Sequence, residues 1–533
     1  MYSEPIKNSR DVNECTSRGI CSTSPILSAL QELIMLFIEH SSYYILKLKA
    51  LGVCNVPLLQ SVTEDIASLI SINEFTDKQL YEIVLKDYSI LMSLKNMYSN
   101  ISLKSGKKAV LLDLPINFDE KTTLTKSISL GEKVFLLKYN RTSHEVRNIV
   151  EILISESKCL SYNILKLNEY SFFDMNGVYL VLKSLNLINH LDLNYDKIFS
   201  QITKLAKHDY KVKVEIADMM FKTFGNISAK TVSLSTRSGN AILVSGNNFF
   251  DLKKILELTK DKNIDVYTHS NLLVAHSLES FQKYKNLVGH FSLTENNIVD
   301  FATFPGSILL AGTHKNSSDY LYRGRIFSRD YIIHSGITPI INDDYSPLIS
   351  SSLSAKGFKK NNPRGEILLG FDKEVIFPKL RELSKRLKSG DISHLYIIGI
   401  NSYSETQKEY FRQFFSLLGE DEYVITFSHT STKKNILNIN VANFIPLVTY
   451  ILSHFIKNYA LDEKITFILT TCDVMTISSL VMLKALDAQS IYMCPCPPYI
   501  MNPSVFELFK GKFGVKETSS PKQDIARIRN IKK

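Results

Sequence analysis

The sequence predicts a multidomain α/β protein: an N-terminal all-helical domain followed by two Rossmann-like, doubly wound α/β domains. Three observations carry this expectation. Apolar residues recur at helical spacing over most of Pro25 to Phe224. Near residue 237 the pattern changes to short apolar runs alternating with helical segments, the grammar of a parallel sheet. A second unit of the same kind begins at His394. The implied domains are 1–236, 237–385 and 386–533. A chain of 533 residues with 44% hydrophobic content is too long for one core.

In the first domain, Pro25 to Leu51 places Leu27, Leu30, Leu33, Ile34, Phe37 and Ile38 on one helical face and ends at Gly52. Phe75 to Tyr98, His144 to Leu167 and Tyr195 to Phe224 read the same way, the last stopping at Gly225. Ala109 to Leu112 and Val134 to Leu137 read as short strands. In the second domain, the run Ala241 to Ser245 is a buried strand. A Gly-Asn-Asn turn, a helix over Phe250 to Thr259 and a strand over Ile264 to Thr268 follow. Ser307 to Ala311 is another strand after a Pro-Gly turn. In the third, the strand His394 to Ile398 leads to a helix over Glu405 to Leu418 and a strand over Tyr423 to Phe427. Ile465 to Thr470 and Ser490 to Met493 complete that sheet.

Charged residues make up 22% and the formal net charge is +10. The lysines are spread along the chain, with the densest runs at Lys104 to Lys108, at Lys359 and Lys360, and from Lys522 to Lys533. No Arg-rich helix, RNA-binding aromatic signature or zinc-finger spacing accompanies them. They read as solvated surface, and no nucleic-acid partner is expected. The seven cysteines (Cys15, Cys21, Cys54, Cys159, Cys472, Cys494 and Cys496) are odd in number and irregular in spacing, unlike a secreted disulfide scaffold. No secretory leader is legible in the first twenty residues. Ala442 to Ile456 carries Pro446 and His454, and Ile465 to Met482 carries Asp473, so both read as buried elements and not membrane spans. The expected setting is cytoplasmic, as a monomer or homodimer, with a protein partner left open.

Ligands of doubly wound sheets lie beyond the carboxyl ends of the strands. Those loops carry a family likeness. Ile242-Leu243-Val244-Ser245-Gly246, then Val266-Tyr267-Thr268-His269, Leu272 and Ala275-His276, resemble a stretch of the hybrid-cluster proteins (prismanes, hydroxylamine reductases). Phe304-Pro305-Gly306-Ser307-Ile308-Leu309, Arg325-Ile326-Phe327 and His394 to Gly399 resemble further pieces in the same order. So do Pro495, Pro498, Asn502-Pro503 and Val505 near the end. Cys15-Thr16, Gly19, Cys21 and Pro25 resemble half of the family's N-terminal cysteine motif. The likeness covers roughly residues 1–30 and 237–515.

The resemblance implies an iron–sulfur cubane held by N-terminal cysteines and a hybrid iron–sulfur–oxygen cluster, held by thiolates, carboxylates and an imidazole, that reduces hydroxylamine or nitric oxide. Thiolates suit the soft iron–sulfur units, and carboxylate and imidazole suit harder iron. Most of those ligands are missing here. The N-terminal motif would need two further cysteines near Ser3 and Ile6, and only Cys15 and Cys21 remain. The family's cluster ligands fall on Asn247, Asn271, His314, Asn401, His429, Ala442 and Asp473. No thiolate survives among them, and seven cysteines are too few for both clusters.

No hybrid cluster is therefore expected. The implied protein is a pseudoenzyme with a binding or regulatory role and no cofactor. A second reading places a single iron or zinc on His314, His429 and Asp473, the donor set of a facial non-haem iron site or a zinc site, and retains an oxidoreductase acting on hydroxylamine- or nitric oxide-type nitrogen compounds. Cys494 and Cys496 read as packing residues in a rigid loop. His269 reads as a hydrogen-bond donor beside the pocket or a satisfied core histidine.

Overall fold

The computed structural model describes residues 23–141, 143–189, 193–292, 297–312, 324–329, 336–399, 405–427, 435–470, 474–493 and 503–530. They form two compact units. One comprises residues 1–215 with 471–516, and the other 216–470 with 517–533.

The first unit is helical: α1 (Pro25–Ala50), α2 (Val56–Ser68), α3 (Asp77–Lys104), α4 (Leu124–Arg141), α5 (His144–Asn168), α6 (Met175–Leu187) and the start of α7 (Tyr195–Phe224). Local chemistry sets the helix starts. The Ser24 hydroxyl accepts from the Leu27 amide at 3.2 Å with Pro25 in the first turn, and Thr76 and Gln79 form a reciprocal cap on α3. Leu30, Leu33, Ile34, Phe37 and Ile38 of α1 are buried, as their spacing requires.

Two short strand expectations fail. Val134 to Leu137 lies inside α4, because Ser127, Gly131 and Val134 are buried at helical spacing while Leu136 points outward. A four-residue apolar window cannot distinguish the two periods. Gly131 lets α4 cross α1 closely: a Cβ there would sit 1.9 Å from the Ala29 carbonyl oxygen. Ala109 to Leu112 is extended but pairs with side chains, not with a strand. The Tyr43 hydroxyl donates to Val110 O at 3.0 Å, and the Leu112 amide donates to the Tyr44 hydroxyl at 2.9 Å.

In the second unit, β1 (Lys230–Ser233) leads to β2 (Asn240–Gly246), α8 (Phe249–Thr259), β3 (Ile264–His269), β4 (Leu287–His290) and α9 (Asn297–Thr303). Then come β5 (Ser307–Ala311), β6 (Ile326–Ser328), β7 (Thr338–Pro339), α10 (Ser346–Ser354) and β8 (Glu366–Leu369). Strands β2 to β7 form a parallel sheet in the order β4-β3-β2-β5-β6-β7, while β1 and β8 pair antiparallel beside it. Beyond α11 (Lys373–Ser389) come β9 (His394–Gly399), α12 (Glu405–Ser416), β10 (Glu422–Thr426), β11 (Ile436–Asn438), α13 (Ile445–Ile456) and β12 (Ile465–Leu469). Their strands run parallel in the order β11-β10-β9-β12. The chain continues through α14 (Val474–Ala485), β13 (Ser490–Met493), α15 (Pro503–Phe513), β14 (Val515–Glu517) and α16 (Pro521–Asn530).

A helical N-terminal region followed by two parallel-sheet α/β domains is thus the architecture. No described helix is long and apolar enough to cross a membrane.

Candidate functional site

The carboxyl edge of the first parallel sheet is where the sequence places its pocket. At the end of β2, the Asn247 and Asn248 amides both donate to the Ala311 carbonyl, at 2.9 and 3.0 Å. The Asn248 side chain then caps α8 by accepting from the Phe250 and Asp251 amides. Gly246 provides the positive φ of 133° that this turn needs. Asn247 is therefore positioned by the strand–helix turn.

At the end of β3 the chain enters a 3₁₀ turn over Ser270–Ser277. There the Asn271 Nδ2 donates to the Ala442 carbonyl at 2.8 Å. These two residues, 171 apart in sequence, both occupy positions that the hybrid-cluster likeness assigns to cluster ligands. The Ala442 amide donates to Asn440 Oδ1 at 3.1 Å. Ala442 and Asn443 hold φ of 51° and 53°, a left-handed pair that costs about 1 kcal/mol or more at each residue. The Ala442 methyl packs on the buried cluster of Val232, Leu273 and Leu369.

Between Asn247 and Asn271 lies a buried polar network. Ser245 and His269 are register partners on adjacent strands. The Ser245 hydroxyl meets His269 Nδ1 at 2.8 Å, and His269 Nε2 meets Asp300 Oδ2 at 3.3 Å. A carboxylate only accepts, so Nε2 carries the proton and Nδ1 accepts from Ser245. The order Ser–His–Asp invites a hydrolase reading. The burial of all three side chains argues against it, with Ser245 only 2% exposed and so shielded from an acyl substrate. The network fixes the His269 ring against Phe301, with centroids 5.3 Å apart.

Thr268 Oγ1 lies 2.9 Å from His276 Nε2 and 3.0 Å from His290 Nδ1. Burial lowers His276 to about 4. Burial, then the neighbouring His269 and His276, hold His290 well below the usual imidazole range. Both rings are neutral at pH 7, yet the nitrogens named are already hydrogen-bonded. Asp300 and His290 carried no sequence signal, since their partners come from other strand ends. His269 and His276 were legible only through the family likeness.

A second buried polar cluster lies in the helical unit, between α5, α7 and the start of α14. Lys213 Nζ meets Asp209 Oδ2 at 2.6 Å and donates to Ser478 Oγ at 3.0 Å. Ser478 donates to Asp209 Oδ2 at 2.9 Å, and Asn163 Nδ2 to Asp209 Oδ1 at 2.7 Å. Burial raises the Glu156 carboxyl well above its usual range, and the Asp209 charge pushes the same way against Lys213. Burial would lower Lys213, but Asp209 and Glu156 more than offset it.

His314, Asn401, His429, Asp473, Cys15, Cys21, Cys472, Cys494 and Cys496 lie outside the described residues. Among the described residues no group of three or more His, Cys, Asp and Glu side chains is arranged to hold a metal ion. Of the described positions that the likeness assigns to ligands, Asn271 and Ala442 do not suit a thiolate-held cluster. Asn271 offers an amide turned to a carbonyl, and Ala442 offers a methyl group.

This fold, a helical region followed by two parallel-sheet α/β domains, is that of a family with an iron–sulfur oxidoreductase-like scaffold. Residues 11–444 match the Prismane/CO dehydrogenase family, and the chain belongs to it. Hybrid-cluster proteins sit in the same family. Among solved structures, the chain is similar to the alpha subunit of an acetyl-CoA synthase/carbon monoxide dehydrogenase that carries NiZn[Fe4S4] and NiNi[Fe4S4] clusters. The identity is 10%, covering 96% of this chain and 83% of that one, with a TM-score of 0.48. It is also similar to an as-isolated, Ni-free carbon monoxide dehydrogenase from Thermococcus sp. AM4, at 11% identity, covering 96% and 86%, with a TM-score of 0.46.

Proposed function

We propose that this chain is a divergent hydroxylamine reductase-like member of its family that does not assemble the hybrid cluster. It is a pseudoenzyme whose scaffold serves binding or regulation, in the cytoplasm, as a monomer or homodimer organised as 1–236, 237–385 and 386–533. The observation that carries this reading is the 2.8 Å hydrogen bond from Asn271 Nδ2 to the Ala442 carbonyl. Both residues stand where a cluster would need a carboxylate and a thiolate. The amide supplies a donor where iron needs an acceptor, and the two positions are tied to each other by local hydrogen bonding.

The test is metal and sulfide analysis of protein purified anaerobically and reconstituted with iron and sulfide, together with hydroxylamine turnover. The expected protein is colourless, holds far less than one iron per chain and does not reduce hydroxylamine. Stoichiometric iron and acid-labile sulfide with visible charge-transfer absorbance would overturn the reading. About one iron or zinc per chain, lost in His314→Ala and His429→Ala, would replace it with the mononuclear oxidoreductase on His314, His429 and Asp473.

A further inference from the structure

The helical unit carries a surface that the oxidoreductase scaffold does not explain. Residues 41–63 and 88–112 contain six lysines (Lys47, Lys49, Lys95, Lys104, Lys107 and Lys108) and no acidic residue; Glu64, Asp87 and Asp113 flank them. Side-chain contacts gather these segments at one place. Tyr44 of α1 packs against Tyr98 of α3, with tilted rings and centroids 5.9 Å apart, as Phe37 does against Tyr88 at 5.4 Å. The two helices therefore run side by side in the same direction, and their lysine-bearing carboxyl ends share one end of the unit.

The chain reverses after α3, with the Lys107 amide bonded to Ser102 O at 2.9 Å. It then returns along the helices, where Tyr43 holds Val110 and Lys95 Nζ reaches Leu112 O at 3.5 Å. Lys47 lies 5.3 Å over the Tyr43 ring, and Lys49 3.2 Å over the Tyr179 ring.

Large apolar side chains stand among these lysines. Leu103 is 80% exposed, Val110 63% and Leu111 42%. Single exposed apolar residues are ordinary, but three beside a cluster of lysines whose own segments carry no acid are not.

We propose that this face docks on an anionic phospholipid membrane surface. Lysine ammonium groups answer the phosphate and carboxylate headgroups, each contributing an attraction that adds with number. Leu103, Val110 and Leu111 enter the boundary between headgroups and acyl chains, where apolar area leaves water. Charge selects the surface and the apolar residues select lipid over a soluble polyanion. No membrane-spanning segment is needed, and the protein stays peripheral.

The test is co-sedimentation of the full chain with vesicles of phosphatidylcholine, with and without phosphatidylserine. Binding is expected only with phosphatidylserine, falling as salt rises. The triple variant Lys104→Gln, Lys107→Gln, Lys108→Gln is expected to lose about a hundredfold in partitioning, from roughly fivefold per lysine. Leu103→Ser with Val110→Ser is expected to lose about tenfold. All five positions are exposed, so circular dichroism of both variants should match the parent. Equal binding to neutral vesicles, or no binding to either, overturns the proposal. So does binding to single-stranded RNA that survives Leu103→Ser with Val110→Ser while vesicle binding is absent, which assigns the patch to nucleic acid.

Discussion

Replacing Asn271 tests the contact on which the functional reading rests. Its amide donates to the Ala442 carbonyl at 2.8 Å, and that carbonyl belongs to a residue in a left-handed conformation. A neutral hydrogen bond is worth about 1 kcal/mol net, and an orphaned buried acceptor costs about 1–3 kcal/mol. Asn271→Ala should therefore destabilise the α/β unit by about 1–2 kcal/mol, lowering its thermal midpoint by roughly 2 °C per kcal/mol for a unit of this size. Asn271→Asp is nearly isosteric but turns a carboxylate towards a carbonyl, so at neutral pH it should cost about 2–3 kcal/mol.

The protonated acid can donate as the amide did. The introduced carboxyl is thus raised in the folded state above its unfolded value of about 3.9. Its stabilisation is full below that value and is lost as pH rises through the folded pKa. Urea denaturation of the parent and both variants from pH 3.5 to pH 7 measures this. An Asn271→Asp protein as stable as the parent at neutral pH would refute the donor role of Asn271, and with it the tie between the two former ligand positions.

Two further outcomes concern the helical unit. Lys213→Met leaves Asp209 charged, buried and without its ammonium, and should cost about 3–5 kcal/mol in urea denaturation, with much of the loss recovered by adding Asp209→Asn. Glu156 is raised in the folded state, so its contribution is full below about pH 4.3 and declines as pH rises towards its folded pKa. Glu156→Gln mimics the neutral form, and its stability should vary less with pH than that of the parent over the same range.

Much of the fold was legible before the structure. Tyr195–Phe224, Ser307–Ala311 and Ser490–Met493 have the bounds that periodicity assigns them, because long amphipathic helices and fully buried strands leave strong local patterns. The short β1–β8 ladder, the edge strands β4 and β7 and the short strand β6 were not legible, being a few residues long and defined by their partners. Val134 to Leu137 misled because its neighbours at 127 and 131, and not its own four residues, decide the period.

The motif pieces also separate into two kinds. Arg325 is structural: its guanidinium donates to the carbonyls of Phe301, Phe304 and Gly306 and holds the turn before β5. Gly306 is there because a Cβ would lie 1.9 Å from the Ala241 carbonyl oxygen.

The fold class was legible in the residues alone, and the family likeness assigns ligand positions to the strand ends and finds no thiolate among them. Residue identity is enough for each of these. What two of those positions do depends on tertiary contact, because Asn271 and Ala442 lie 171 residues apart and meet through the packing of different strand-end loops. The tertiary structure also decided that Ser245, His269 and Asp300 form a shielded positioning network, since a hydroxyl's role depends on its burial and its partner. Hydrogen-bond partnership is a property of three-dimensional neighbours, and no local pattern encodes it.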